Sequence, residues 1–101
     1  MIDLQKIQQE ILDNKIAKGF NTTNIGLEFS LTHEELSEAF HAYRKKLSDL
    51  GEELADVAIY LMGLSAILNI NLEKEISKKV EKNKNREYEK INGVLTRTKD
   101  Q

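Results

Sequence analysis

The chain has 101 residues and a formal charge of −2, enough for one compact domain and too evenly charged for a protein that grips nucleic acid through its phosphates. It contains no cysteine, which rules out a disulfide framework and thiolate metal ligands. With no proline and only five glycines it favours long helices, and its chemistry must come from carboxylates, His, Lys, Arg, Asn or hydroxyls.

The opening MIDLQKIQQE lacks the apolar core of a signal peptide. From about Asp3 to Lys18, Leu4, Ile7 and Ile11 recur at helical spacing, and Gly19 suits the C-terminal cap. The stretch GFNTTNIGLEFSL is rich in Gly, Asn and Thr and reads as a loop or broken segment. A second helix is expected to begin at Thr32, where THEE matches a capping box of Thr32 and Glu35. Leu36, Phe40, Tyr43 and Leu47 then mark one face, and SDLG closes the segment at Gly51.

A third helix is expected from about Glu52 to Leu68, with Asp49 as its cap and Glu52 as the capping partner. Leu54, Ala58, Leu61 and Leu68 fill one face, and Ala55, Ile59, Met62 and Ala66 another. A helix apolar all round is buried on every side. In so small a chain, that implies contact with a second subunit. The longest uncharged run, Val57 to Leu72, has 16 residues, short of the roughly 20 that span a bilayer. The reading is a cytoplasmic protein with neither membrane nor nucleic acid as partner.

A fourth helix starts near Asn71, which suits an N-cap, with Glu73 and Glu75 in its first turn and an inward apolar stripe of Leu72, Ile76 and Val80. After about Tyr88 the chain carries only a weak apolar patch, the mark of a tail that frays or packs on a partner. The expected architecture is all-α: one domain over residues 1–101, a bundle of about four helices completed by a second subunit.

Two short stretches carry acids in the same pattern. Glu35 and Glu38 are three apart on the second helix, and Glu53 and Asp56 three apart on the third. Residues so spaced are neighbours on one helix face. Ala39 and Ala42, on the same side as Glu35 and Glu38, leave room for another helix. The 14 residues between Glu38 and Glu53 allow two antiparallel helices to bring the pairs face to face. Four carboxylates in one place repel, so they either protonate or bind a cation. Oxygen ligands without a Cys or His cluster point to Mg²⁺, with Mn²⁺ as a substitute. His33 and His41 read as surface residues. Downstream, KKVEKNKNREY places Lys79, Lys82, Asn83 and Arg86 within about 100° of arc in helical geometry. Lys and Arg are the usual phosphate binders, and a Mg²⁺–acid cluster beside cations suits phosphoanhydride chemistry.

These residues carry a resemblance. EELSE followed by GEELADVAIYLMGLSAILNINLEKEISKKVEKNKNREY is similar to the MazG-like nucleotide pyrophosphohydrolases of the all-α NTP pyrophosphatase superfamily. Their E-x-x-E and E-x-x-D pairs are met by Glu35, Glu38, Glu53 and Asp56, and their later K-N-x-x-R-like element by Lys82, Asn83 and Arg86, with Lys79 a turn earlier. The resemblance spans about Lys15 to Tyr88. It implies that the four acids bind Mg²⁺ and serve catalysis, and that water attacks a nucleoside triphosphate between its α and β phosphates. The products would be a nucleoside monophosphate and pyrophosphate. It further implies a homodimer or homotetramer, phosphate contacts from Lys79, Lys82, Asn83 and Arg86, and Phe20 at the border of a base pocket. A superfamily relative acting on dUTP or phosphoribosyl-ATP shares the same metal motif. A non-catalytic helical oligomerisation module is the alternative of another class.

Overall fold

A computed structural model describes residues 2–99. The elements run α1 (Leu4–Ala17), α2 (Ile25–Arg44), α3 (Leu50–Ile67), α4 (Leu72–Lys84), β1 (Glu87–Ile91) and β2 (Val94–Lys99). Over the described residues the protein is mostly helical, as expected, with four helices and one small two-stranded sheet. It forms two compact units that divide after Asn71.

The first unit holds α1, α2 and α3. Asp3 caps α1 by accepting from the Lys6 N–H at 3.1 Å. At the other end Gly19 takes a φ of +72° and lets the Phe20 N–H reach back to the Lys15 carbonyl at 2.9 Å, the left-handed stop expected of a glycine there. Helix α2 departs from the sequence reading. It starts at Ile25, capped by Asn24, whose Oδ1 accepts from the Leu27 N–H at 3.0 Å. Thr32 is therefore mid-helix and caps nothing; its hydroxyl donates to the Glu28 carbonyl at 2.8 Å. The Asn-rich segment supplies a cap earlier than the Thr-Glu box, and GLEFSL then continues as helix. The link 45–49 turns through Lys46, at φ +56°, with the Leu47 N–H donating to the Ala42 carbonyl at 2.9 Å. Asp49 occupies the N-cap position of α3, but its side chain makes no capping hydrogen bond, so the expected Asp49–Glu52 box does not form.

Helix α3 packs against both α1 and α2. Small side chains permit this. Ala39, Ala42, Gly63 and Leu64 are buried, and a Cβ on Gly63 would lie 3.3 Å from Ile11 Cγ2 and 3.0 Å from Lys15 Cε. Gln8 is buried on α1 and donates its amide to the Ile70 carbonyl, tying α1 to the end of α3. The all-round burial expected of α3 is not reached within one chain. Two helices cover two sides, and Leu54, Ile59, Leu61 and Leu68 stay exposed. Among the described residues, no single helix is long and apolar enough to cross a membrane.

The second unit is α4 followed by a hairpin. Ile76 and Val80, expected to face inward, are exposed. The segment expected to fray or dock instead pairs as antiparallel strands, from Glu87↔Lys99 to Ile91↔Val94, with an irregularity between Glu87 and Tyr88. Asn92 and Gly93 make the turn with φ of 52° and 79°. Two positive φ values are what a two-residue hairpin turn needs, and Asn-Gly meets that need best.

Candidate functional site

Helices α2 and α3 bring three of the four expected acids together. One carboxylate oxygen from each of Glu35, Glu38 and Glu53 lies within 4.8 Å of the others. Glu35 and Glu38 sit one turn apart in the middle of α2, and Glu53 in the first turn of α3. The short link between these helices lets Glu53 meet the Glu35–Glu38 pair. Asp56 is not among the three converging residues, yet it follows Glu53 by one turn and its charge acts on both Glu35 and Glu53.

Electrostatics set this cluster apart from surface acids. Burial pushes the Glu35 carboxyl above its ordinary value, and the charges of Glu38, Asp56 and Glu53 push further. Burial likewise raises Glu53, followed by the charges of Asp49, Glu38, Asp56 and Glu52. Glu35 Oε2, Glu53 Oε2 and Asp49 Oδ1 are shielded from solvent and meet no hydrogen-bond donor among the described residues. Shielded carboxylate oxygens facing other carboxylates need a proton or a cation. The donors are all hard oxygens, the set that Mg²⁺ or Mn²⁺ takes. The residues fit such an ion.

Asp49 was read from sequence only as a cap. Its free carboxylate oxygen and its effect on Glu53 place it at the rim of the cluster. An Asp at a helix N-cap gives no sign in sequence that its side chain has turned away from the helix.

A cavity of about 320 Å³ lies between α1 and α3, with Ile7, Ile11, Phe20, Ile59 and Tyr60 as its walls and Glu10, Asn14 and Lys15 as its polar lining. Phe20, expected to border a base pocket, lines it. Tyr60 links the cavity to the cluster. It lies one turn beyond Asp56 on α3, and its hydroxyl is held above the ordinary value, first by burial and then by the charges of Glu35, Glu28, Asp56 and Glu34. Lys15 Nζ stands 5.6 Å from the Tyr60 ring centre and 2.7 Å from Glu28 Oε1. This buried pair escaped the sequence reading because Glu28 lay in what looked like a loop.

The four expected phosphate contacts lie in the second unit. Lys79, Lys82 and Asn83 are on α4. The helix ends at Lys84, so Arg86 falls in the link to β1 and does not share the helical face that the sequence suggested. It is tied to that face differently, donating from Nη1 to Asn83 Oδ1 at 2.9 Å.

No family model, curated protein or solved structure matches this chain. The reading of its function therefore rests on the residues and their geometry.

Proposed function

We propose that this protein is a Mg²⁺-dependent nucleoside triphosphate pyrophosphohydrolase that cleaves the α–β phosphoanhydride to release a nucleoside monophosphate and pyrophosphate. One observation carries it: carboxylate oxygens of Glu35, Glu38 and Glu53 converge within 4.8 Å while two of these residues keep a shielded oxygen without a donor. A cluster built only to solubilise a helix would turn its oxygens to water.

In this reading Glu35, Glu38 and Glu53 hold the cation, with Asp56 completing the set. When bound, Mg²⁺ neutralises phosphate charge and lowers the pKa of a coordinated water. The cavity beside Tyr60 takes the base, with Phe20 and the isoleucines as its apolar walls. A flat ring buried against such walls and met by a few polar groups is the usual form of a small-molecule site. Lys79, Lys82, Asn83 and Arg86 are the candidates for the phosphates. A homodimer or homotetramer is part of the proposal, supported by the apolar residues that one chain leaves exposed on α2 and α3, among them Leu36, Phe40, Leu54 and Leu61.

The test is a panel of ribo- and deoxyribonucleoside triphosphates, including dUTP, together with phosphoribosyl-ATP, scored for pyrophosphate release with Mg²⁺ and with EDTA. Mg²⁺-dependent release from at least one is expected. No release from any of them would leave the acids as a helical oligomerisation module's surface and end the enzymatic reading.

A further inference from the structure

Glu28 is the most enclosed ionisable side chain described, with a side-chain exposure of 1% against 11% for its partner Lys15. Both its oxygens are engaged: Oε1 by Lys15 Nζ at 2.7 Å, Oε2 by the Asn21 amide at 3.1 Å. Gly63 leaves the space through which the Lys15 stem passes, since a Cβ there would stand 3.0 Å from Lys15 Cε. A buried ion pair is a poor stabiliser compared with apolar packing of the same volume, so stability alone does not account for it.

Lys15 lines the cavity together with Glu10 and Asn14, and Glu28 stands behind Lys15. Without Glu28 behind it, Lys15 would be the one cation in that lining and a ready phosphate contact, with Glu10 as the other charged residue of the wall. A triphosphate could then enter with its anionic end in the cavity, away from the carboxylates that hold the cation. We propose that Glu28 is a specificity-determining residue which cancels the charge of Lys15 and so makes the cavity a site for the uncharged base of the nucleotide and not for its phosphates. The proposal rests on the functional reading above. Lys15 has three N–H donors and Glu28 takes one, so donors remain for a neutral acceptor such as a ring nitrogen or carbonyl. Glu28 touches no nucleotide itself. It acts through Lys15, and through Asn21 it also holds the residue next to Phe20.

Glu28→Gln keeps the side chain's size and one acceptor while removing its charge. The parent and this variant are titrated with inorganic triphosphate in EDTA by calorimetry, a measurement that needs neither metal nor turnover. The variant is expected to bind about tenfold more tightly or better, the size of one charge-assisted hydrogen bond. The double variant Lys15→Gln with Glu28→Gln should return to the parent's affinity. In turnover assays, inorganic triphosphate should compete with substrate far better in Glu28→Gln than in the parent. Equal triphosphate affinity in parent and Glu28→Gln would overturn the proposal, as would a gain that survives in the double variant. A purely structural Glu28 would lower the melting temperature and leave triphosphate binding unmoved. If Glu28→Gln does not fold, Glu28→Met takes its place: it fills similar volume without the charge, and the same gain in triphosphate binding is expected, its absence being equally decisive. If the parent cleaves no nucleotide, the enzymatic reading falls, whereas the titration still decides the claim about charge.

Discussion

Glu38 lies well inside α2, beyond the reach of the helix macrodipole at either end. Glu and Gln have nearly equal helix propensity, so Glu38→Gln changes charge and little else. In EDTA the variant should be as stable as the parent or more so, because one of the crowded charges is gone. With Mg²⁺ at a hundredfold excess over its Kd the parent should gain about 2.7 kcal/mol, and the variant should lose much of that gain along with turnover. Melting curves of both proteins in both conditions check this, and four parallel curves would remove Glu38 from the site. Glu35 carries a matching pH dependence. Its folded carboxyl titrates above the ordinary 4.5, so over that window the folded state holds a proton that the unfolded state has released. Its contribution is full below the ordinary value and is lost as pH rises through the raised one. Glu35→Gln cannot ionise. In EDTA its stability relative to the parent should therefore climb with pH from about 4.5 upward. A pH-independent difference between the two would show that Glu35 is not crowded.

At the scale of elements, the start of α2 decides much of the first unit. Asn24 caps it and Thr32 does not. Asn24→Ala should therefore cost about 1 kcal/mol, the usual worth of an N-cap, and Thr32→Ala far less. Chemical denaturation of the two variants measures this, and the reverse order would move the helix start to Thr32. The second unit offers a test of the phosphate candidates. Arg86 sits past the end of α4, linked to Asn83. If it meets phosphate, Arg86→Ala should weaken turnover while leaving Mg²⁺ binding to the apo protein nearly intact. Arg86→Lys should recover little, since lysine cannot make the paired contact of a guanidinium. Full activity in the lysine variant would reduce the role of Arg86 to charge.

For the whole molecule, the question is what covers α3. A central helix with apolar residues on every face packs on α1 and α2 within the first unit, and among the described residues the fully buried hydrophobic side chains are Ala39, Ala42 and Leu64. That core is slight for a chain of this length. A second copy laid against the exposed faces of α2 and α3 would bury Leu36, Leu54 and Leu61. Sedimentation at micromolar concentration should show a dimer or larger species. A stable, well-folded monomer would remove the intersubunit bundle, and the reason for α3's all-round apolar pattern would have to be sought elsewhere.

Much of this was legible in the sequence because it depends on short spacings. Helical periodicity placed α1, α3 and the start of α4 within a residue or two. Acids three apart must share a helix face, so Glu35 with Glu38 and Glu53 with Asp56 could be paired without coordinates. Asn-Gly at positions 92–93 also carried a hairpin signal, but the polar composition around it masked the strands. Tertiary structure decided what depends on distant partners. The start of α2 turned on Asn24 outcompeting Thr32 as a cap. Asp49 leaves the helix end uncapped, and its charge acts on Glu53. Glu28, in a stretch that read as loop, became the partner of a lysine 13 residues away. Periodicity reports the face a residue occupies. It does not report what stands opposite, and whether an acid is buried, paired or orphaned is settled by that opposite neighbour.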